Sequence, residues 1–294
     1  MEIKKAVIPV AGFGTRFLPI TKTVPKELLP IIDKPVIQYI VEEAVSAGLK
    51  DIILVISPEK TIIKKYFQKF PALENRLKKD GKIAALDTLK KINKGLKFSY
   101  AIQEKPLGTG HALLAAQKLV GNNCFAYFDG DAIFSASKPV ISQVMDVFKK
   151  YPADGAVGGI KVAREKVANY GNLQVKQLHD REYLLEKIIE KPSLDKAPKD
   201  NLVVAGQRYV FSPKIFSYLK KQKPGVGGEI WLADAASSMA SENNFYATEI
   251  AGTYYDTGNK LEYLKTVIDF ALKNPEIKEK FRQYLKNLNL KNEY

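Results

Sequence analysis

Gly12, Gly14, Arg16, Lys22 and Lys26 crowd into one short stretch, AVIPVAGFGTRFLPITKTVPKELLP over residues 6–30. Glycine lacks a Cβ, so the backbone can turn tightly and set its N–H groups against a ligand. Successive amides at a strand end make an anion-binding concavity. Arg16 adds a planar guanidinium fork suited to phosphate, and the lysines add point charges. The stretch reads as a triphosphate cradle, with the Gly12–Thr15 amides and Arg16 on the polyphosphate. Carboxylates supply the second ingredient. Asp129-Gly130-Asp131 closes an apolar run, and Asp256 follows Tyr254-Tyr255. Mg²⁺ prefers one or two carboxylates plus substrate phosphates, so Asp129 or Asp131, partnered by Asp256, forms a candidate metal site. Glu190-Lys191 is the third ingredient. A carboxylate beside an ammonium suits a sugar phosphate, with Glu190 accepting from hydroxyls and Lys191 holding the phosphate.

Two commoner phosphate motifs fail here. The dinucleotide fingerprint needs a third glycine opening a helix, and that position holds Phe17, with Pro19 soon after. The P-loop needs Gly-Lys-Ser/Thr, which does not follow Gly14. Gly-x-Gly recurs at Gly108-Thr109-Gly110, where His111 at the start of a helix reads as structural.

These groups need elements to carry them. Ala6–Val10, Asp51–Ser57, Lys97–Gln103, Asn123–Phe128 and Gly155–Val162 read as strands, and Val36–Gly48 and 137–150 as amphipathic helices. Strand, helix and strand with short links imply right-handed βαβ units and a parallel sheet. Ligands in such sheets lie beyond the carboxyl ends of the strands, which is where both glycine loops and the aspartates fall. Gly171–Lys176 and Leu184–Glu190 alternate, suggesting an antiparallel excursion beside the sheet. Asn201–Ser212 reads as a further strand, Gly225–Ile230 as the opening of a helix, and Asn259–Leu272 as a helix that Asp256 could cap. Residues 59–95 are lysine-rich and helical, with Leu77, Ile83, Leu86, Leu89 and Ile92 available to cover a face or meet another subunit. The expected fold is α/β, a Rossmann-like three-layer sandwich with a mainly parallel central sheet. A catalytic unit spans 1–272, with a sugar-binding subregion near 163–212, and a charged helical tail spans 273–294.

Gly-x-Gly-Thr-Arg-x-x-Pro followed by Thr-Lys-x-x-Pro-Lys-Glu-Leu-Leu-Pro resembles the signature of sugar-1-phosphate nucleotidylyltransferases. Pro25-Lys26-Glu27 is most similar to the bacterial-type glucose-1-phosphate uridylyltransferase branch. The likeness extends in order from Lys4 to about Tyr263, through Gly108–Ala112, Tyr170-Gly171, Glu190-Lys191 and Asn201–Val210. It implies UTP and glucose 1-phosphate as substrates and UDP-glucose and pyrophosphate as products, with Mg²⁺ as cofactor. It assigns Ala11, Gly12, Glu27, Gln103 and Gly108 to the nucleotide and Gly171, Glu190 and Lys191 to glucose 1-phosphate. It also implies that backbone near Val204–Ala205 faces the sugar. It makes Arg16, Lys26 and Asp131 the catalytic set, places the metal on Asp131, and puts Asp256 nearby. The chain departs from the pattern at Asp129, at Thr109 where many relatives carry Leu, at an extra Gln207, and at Trp231-Leu232-Ala233 where relatives carry Gln-Leu-Thr.

Composition bounds the alternatives. A net charge of +14 suits anionic partners, and paired lysines such as Lys78-Lys79 read as wet helix faces. A basic nucleic-acid-binding protein would explain the charge but leave the strand-end Gly and Asp motifs without a purpose, and neither zinc spacing nor an RNA-binding aromatic motif is present. A thymidylyltransferase on the same fold, or a catalytically dead regulator that binds sugar nucleotide, are the other readings. Cys124, the single cysteine, excludes an internal disulfide. The N-terminus enters a core strand at once, and no apolar run reaches about 18 residues. The expected setting is the cytoplasm, away from membranes and nucleic acid, as a homo-oligomer, dimer or tetramer.

Overall fold

The computed structural model describes residues 2–225 and 228–288. Strand β1 (Lys5–Pro9) buries Ala6, Val7 and Ile8 completely, as a continuous apolar run should when both faces of a sheet are covered. The glycine–proline stretch follows, then a short hairpin of β2 (Pro30–Ile31) and β3 (Lys34–Pro35). Helix α1 (Val36–Ser46) turns Val36, Ile37, Ile40, Val41 and Ala44 inward, the spacing of one helical face. Strand β4 (Asp51–Ile56) completes the first βαβ unit.

The lysine-rich region forms α2 (Thr61–Phe67), α3 (Pro71–Lys79) and α4 (Ile83–Lys91). Of its expected apolar face only Leu86 is buried, and Ile83 is 54% exposed. Next come β5 (Lys97–Ile102), α5 (Thr109–Ala115), α6 (Gln117–Val120), β6 (Phe125–Phe128), β7 (Ala132–Ser135), α7 (Val140–Lys150) and β8 (Gly155–Lys161). The remainder runs β9 (Gly171–His179), β10 (Glu182–Glu190), β11 (Leu202–Val204), β12 (Arg208–Phe211), α8 (Ile215–Lys221), α9 (Leu232–Glu242), β13 (Phe245–Glu249), β14 (Thr253–Asp256), α10 (Lys260–Lys273) and α11 (Lys278–Asn287).

Ten strands form one sheet in the order β11-β9-β10-β13-β8-β12-β6-β1-β4-β5. The run β6-β1-β4-β5 is parallel, as is β8 with β13. Strand β12 runs against both neighbours, β6 and β8. The antiparallel excursion, expected beside the sheet, is hydrogen-bonded into it. Strand β10 joins β13, β9 joins β10, and β11 bonds both β9 and β8. Alternate residues supply the two cores. Val7 and Ile53 pack with Leu113, Phe216 and Met239 on one face, while Ile8 and Leu54 pack with Ile40, Val144 and Phe148 on the other. Helices therefore cover both sides of the sheet, giving three layers.

Three local expectations change. The strand anticipated over Asn201–Ser212 is two strands, broken at Gly206, whose φ is +66°. The helix anticipated from Gly225–Ile230 begins later, at Leu232, and Val226 and Gly227 lie outside the described residues. Asn259, and not Asp256, caps α10, its Oδ1 accepting from the Leu261 and Glu262 N–H groups.

One buried charge ties the layers together. The Arg208 side chain is fully buried and pairs with Glu43 of α1 at 2.7 Å. It also donates to the Gly206 and Ala132 carbonyls and lies over the Phe128 and Phe134 rings. Removing one partner of a buried pair strands the other charge. Arg208→Met is therefore expected to lower unfolding free energy by about 3–5 kcal/mol, read from the urea midpoint.

Candidate active site

The site lies at the carboxyl ends of the parallel strands. Leaving β1, the chain passes Ala11 and Gly12 into a left-handed turn at Gly14, φ +65°. A Cβ on Gly12 would meet nothing within 4 Å, so that backbone faces open space. The Thr21 hydroxyl holds the turn by donating to the Gly14 carbonyl at 2.9 Å. The resulting cleft, about 600 Å³, is lined by Ala11, Gly12, Phe13, Gly14, Thr15, Arg16, Lys26, Glu27, Gln103, Gly108, Asp129 and Asp131, among others. Every residue expected at the nucleotide is in that lining.

Gln103 and Gly108 follow β5. The Gln103 amide donates to the Gly108 carbonyl at 3.2 Å and lies 3.1 Å from His111 Nδ1. Thus His111 orients a cleft residue from behind. Gly108 has φ +93°, and a Cβ there would fall 2.6 Å from the Ile230 carbonyl, so only glycine fits between the two loops. Glu27 is 1% exposed and receives Lys60 Nζ at 2.8 Å. Lys60 also donates to the Val10 carbonyl at 2.8 Å. Burial pushes the Glu27 carboxyl up and the Lys60 ammonium down, and their ion pair offsets both effects.

Strand pairing brings the carboxylates together. β14 lies antiparallel to β7 with Asp256 opposite Ala132, so Asp131 and Asp256 sit at one end of the same ladder. Thr257 fixes the crossing, its N–H and hydroxyl donating to the Asp131 carbonyl at 3.0 and 2.7 Å. A Cβ on Gly258 would stand 2.7 Å from Asp131 Oδ2 and 3.1 Å from Asp256 Oδ1. Lys26 Nζ is ion-paired with Asp131 Oδ2, and Arg16 donates to the Gly258 carbonyl at 3.4 Å. Arg16, Lys26, Asp131 and Asp256 therefore meet on one rim. Burial would lower the Lys26 pKa, but the Asp131, Glu27 and Asp129 charges more than offset this and raise it. At Asp129, burial and the Asp131 charge push the carboxyl up to about 8. Burial raises Asp256 as well.

A second cleft of about 260 Å³ opens on the other side of this rim, lined by Gly171, Glu190, Val204, Tyr209 and Asp256 among others. These include the residues expected at the sugar phosphate, with one exception. Lys191 lines neither cleft, and its side chain is exposed. It follows the last residue of β10 with φ +42°, its N–H donating to the Tyr170 carbonyl, and that turn carries the side chain into solvent. Arg16, Asp129, Asp131 and Gln207 line both clefts.

No three Asp, Glu, His or Cys side chains form a metal cage among the described residues. A hard divalent cation that takes part of its shell from phosphate oxygens needs no such cage, and the facing Asp131 and Asp256 oxygens fit it. Lys60 and Gln207 escape sequence reasoning. Lys60 reads as one more lysine of the helical 59–95 stretch, and Gln207 as an insertion of no stated role. Only tertiary packing puts the first behind Glu27 and the second between the clefts.

A nucleotidyl transferase family model matches residues 5–273. The UTP–glucose-1-phosphate uridylyltransferase of Bacillus subtilis is 40% identical over 98% of this chain and 97% of its own. The UTP–glucose-1-phosphate uridylyltransferase 1 of Staphylococcus saprophyticus is 41% identical over 98% of this chain and all of its own. A UTP-bound UGPase structure from Acinetobacter baumannii superposes with a TM-score of 0.90 at 35% identity, covering 98% of this chain and 100% of that one. A Bacillus anthracis protein described as a putative glucose-1-phosphate thymidylyltransferase shares the fold, at 23% identity and a TM-score of 0.69. Matched from the first residue of β1 to the last of α10, the chain belongs to the nucleotidyl transferase family.

Proposed function

We propose that this chain transfers the uridylyl group of UTP to α-D-glucose 1-phosphate, releasing pyrophosphate and forming UDP-glucose. The observation that carries the reading is the common wall of the two clefts, Arg16, Asp129, Asp131 and Gln207. A nucleotide in one cleft and a sugar phosphate in the other would bring their phosphates together there. The full-length likeness to uridylyltransferases, against a fold-level likeness to the thymidylyltransferase, supports UTP.

In this reading Ala11, Glu27, Gln103 and Gly108 hold the uracil end. The Gln103 amide is spent on Gly108 and His111, leaving its carbonyl to accept the uracil N–H. Gly12, Gly14, Thr15 and Arg16 hold the β- and γ-phosphates. Gly171, Glu190 and backbone at Val204 position the glucose, and Lys191 swings its exposed side chain onto the sugar phosphate. A phosphate oxygen of glucose 1-phosphate attacks the α-phosphorus. The new P–O bond forms as the bond to the bridging oxygen breaks, and that oxygen leaves with pyrophosphate. No covalent enzyme intermediate is required. Lys26 neutralises charge on the α-phosphoryl oxygens and Arg16 charge on the leaving group. Asp131 and Asp256 would hold Mg²⁺, which when bound neutralises phosphate charge and helps orient the two substrates.

Every group assigned here falls within 1–272, so we read that span as the catalytic unit and 273–294 as an appended tail, helical over Lys278–Asn287, with 289–294 outside the described residues. Among the described residues no helix is long and apolar enough to cross a membrane; we read the setting as the cytoplasm. Exposed Leu261, Leu264 and Ile268 share one side of α10 and support assembly as a homo-oligomer, dimer or tetramer. The test is pyrophosphate release across a matrix of UTP, dTTP, CTP and ATP with several hexose 1-phosphates, with and without Mg²⁺. The expected maximum is UTP with glucose 1-phosphate and Mg²⁺. A faster rate with dTTP, or none with UTP, overturns the reading.

A further inference from the structure

Trp231 is the only tryptophan in the chain, and it lies on the lip of the nucleotide cleft. Its neighbour Leu232 is fully buried and Trp231 itself is 40% exposed, so the indole is no part of the core. Its position is fixed from both sides. The Ile230 carbonyl accepts from Gly110 N–H, and Ile230 N–H donates to the Leu107 carbonyl, both at 2.8 Å. Leu232 N–H donates to the Thr109 hydroxyl at 3.2 Å. The backbone carrying Trp231 is thus clamped to the 107–110 loop, which bears Gly108 and touches Gln103. That is the base end of the cleft, away from the rim where Arg16, Lys26 and Asp131 meet.

We propose that the Trp231 indole is a stacking surface for the pyrimidine base of the bound nucleotide, held in place by the Thr109 hydroxyl. The proposal rests on the nucleotidyl-transfer reading above and adds a base-recognition residue to it. Two departures from the family pattern, Thr109 and Trp231, then have one explanation, because the first secures the backbone that presents the second. An exposed aromatic face beside a base site gains from stacking in a way that tolerates the identity of the base. The indole would therefore add affinity for the nucleotide, while the polar groups of Gln103 supply the choice of base.

The sole tryptophan makes its own reporter. UTP and UMP are expected to quench its emission saturably, and inorganic tripolyphosphate, which carries no base, is expected to leave it unchanged. Trp231→Ala should raise KM for UTP about ten-fold, with kcat and KM for glucose 1-phosphate within about two-fold of the parent. Trp231→Phe, which keeps an aromatic face, should recover most of the loss. Equal quenching by tripolyphosphate and UTP, or an unchanged KM for UTP in a folded Trp231→Ala, overturns the proposal. If Trp231→Ala does not fold, the parent's quenching and the Trp231→Phe kinetics decide it. A parent enzyme that makes UDP-glucose without any quenching defeats the stacking alone. A parent that cannot use UTP defeats the underlying reading, and the stacking with it.

Discussion

Lys26→Ala is expected to cut turnover about 100- to 1,000-fold while the thermal unfolding transition stays within a few degrees of the parent. Lys26 Nζ is paired with Asp131 on the rim common to both clefts. The surrounding carboxylates keep it protonated, so its charge is available throughout the neutral range. As the α-phosphorus is attacked, negative charge grows on its outer oxygens, and an ammonium already in place stabilises that charge without reorganising. The side chain is only partly buried, and its removal opens no core cavity. The loss should therefore appear in kcat more than in KM for either substrate. Near-normal kcat in a folded Lys26→Ala would remove the lysine from the chemistry.

Asp131→Asn is expected to be more severe, lowering Mg²⁺-dependent turnover by at least about 1,000-fold. Asparagine keeps the shape of the side chain and loses the charge, so the Thr257 bonds to the Asp131 carbonyl should survive. What is lost is an anionic oxygen facing Asp256 across Gly258. Asp129→Asn makes the contrast. Burial beside Asp131 holds the Asp129 carboxyl up to about 8, so the neutral amide imitates its prevailing state near pH 7, and most activity should remain. If Asp129→Asn alone abolishes turnover, the metal ligand is Asp129. Pyrophosphate release against Mg²⁺ concentration for both variants separates the cases.

Much of this site is legible in the chain because phosphate chemistry leaves local marks. Gly12, Gly14, Arg16 and Lys26 lie in one segment, and apolar runs that end in glycine or aspartate mark the strands that carry them. Contacts made across the sheet leave no such mark. Nothing in RYVF tells that β12 runs against its neighbours, because a strand buried on both faces reads alike in either direction. Asp256 reads equally as a helix cap until β14 is seen pairing with β7. Lys60 resembles any surface lysine, and only packing against Glu27 shows its use. Lys191 is the converse case. A sequence neighbour of Glu190, it is sent elsewhere by a turn whose left-handed φ the side-chain pattern does not encode.

Strand β11 bonds both β9 and β8, and so folds the sheet back upon itself beside the sugar cleft. A sheet margin with free amides and carbonyls is a template on which another chain can add a strand. Beside the substrates that margin is consumed internally. Further out along β9 it is bordered by exposed Gln174, Lys176 and Gln177, side chains that discourage zippering between molecules. Beside that cleft, then, the sheet offers an incoming strand no open margin.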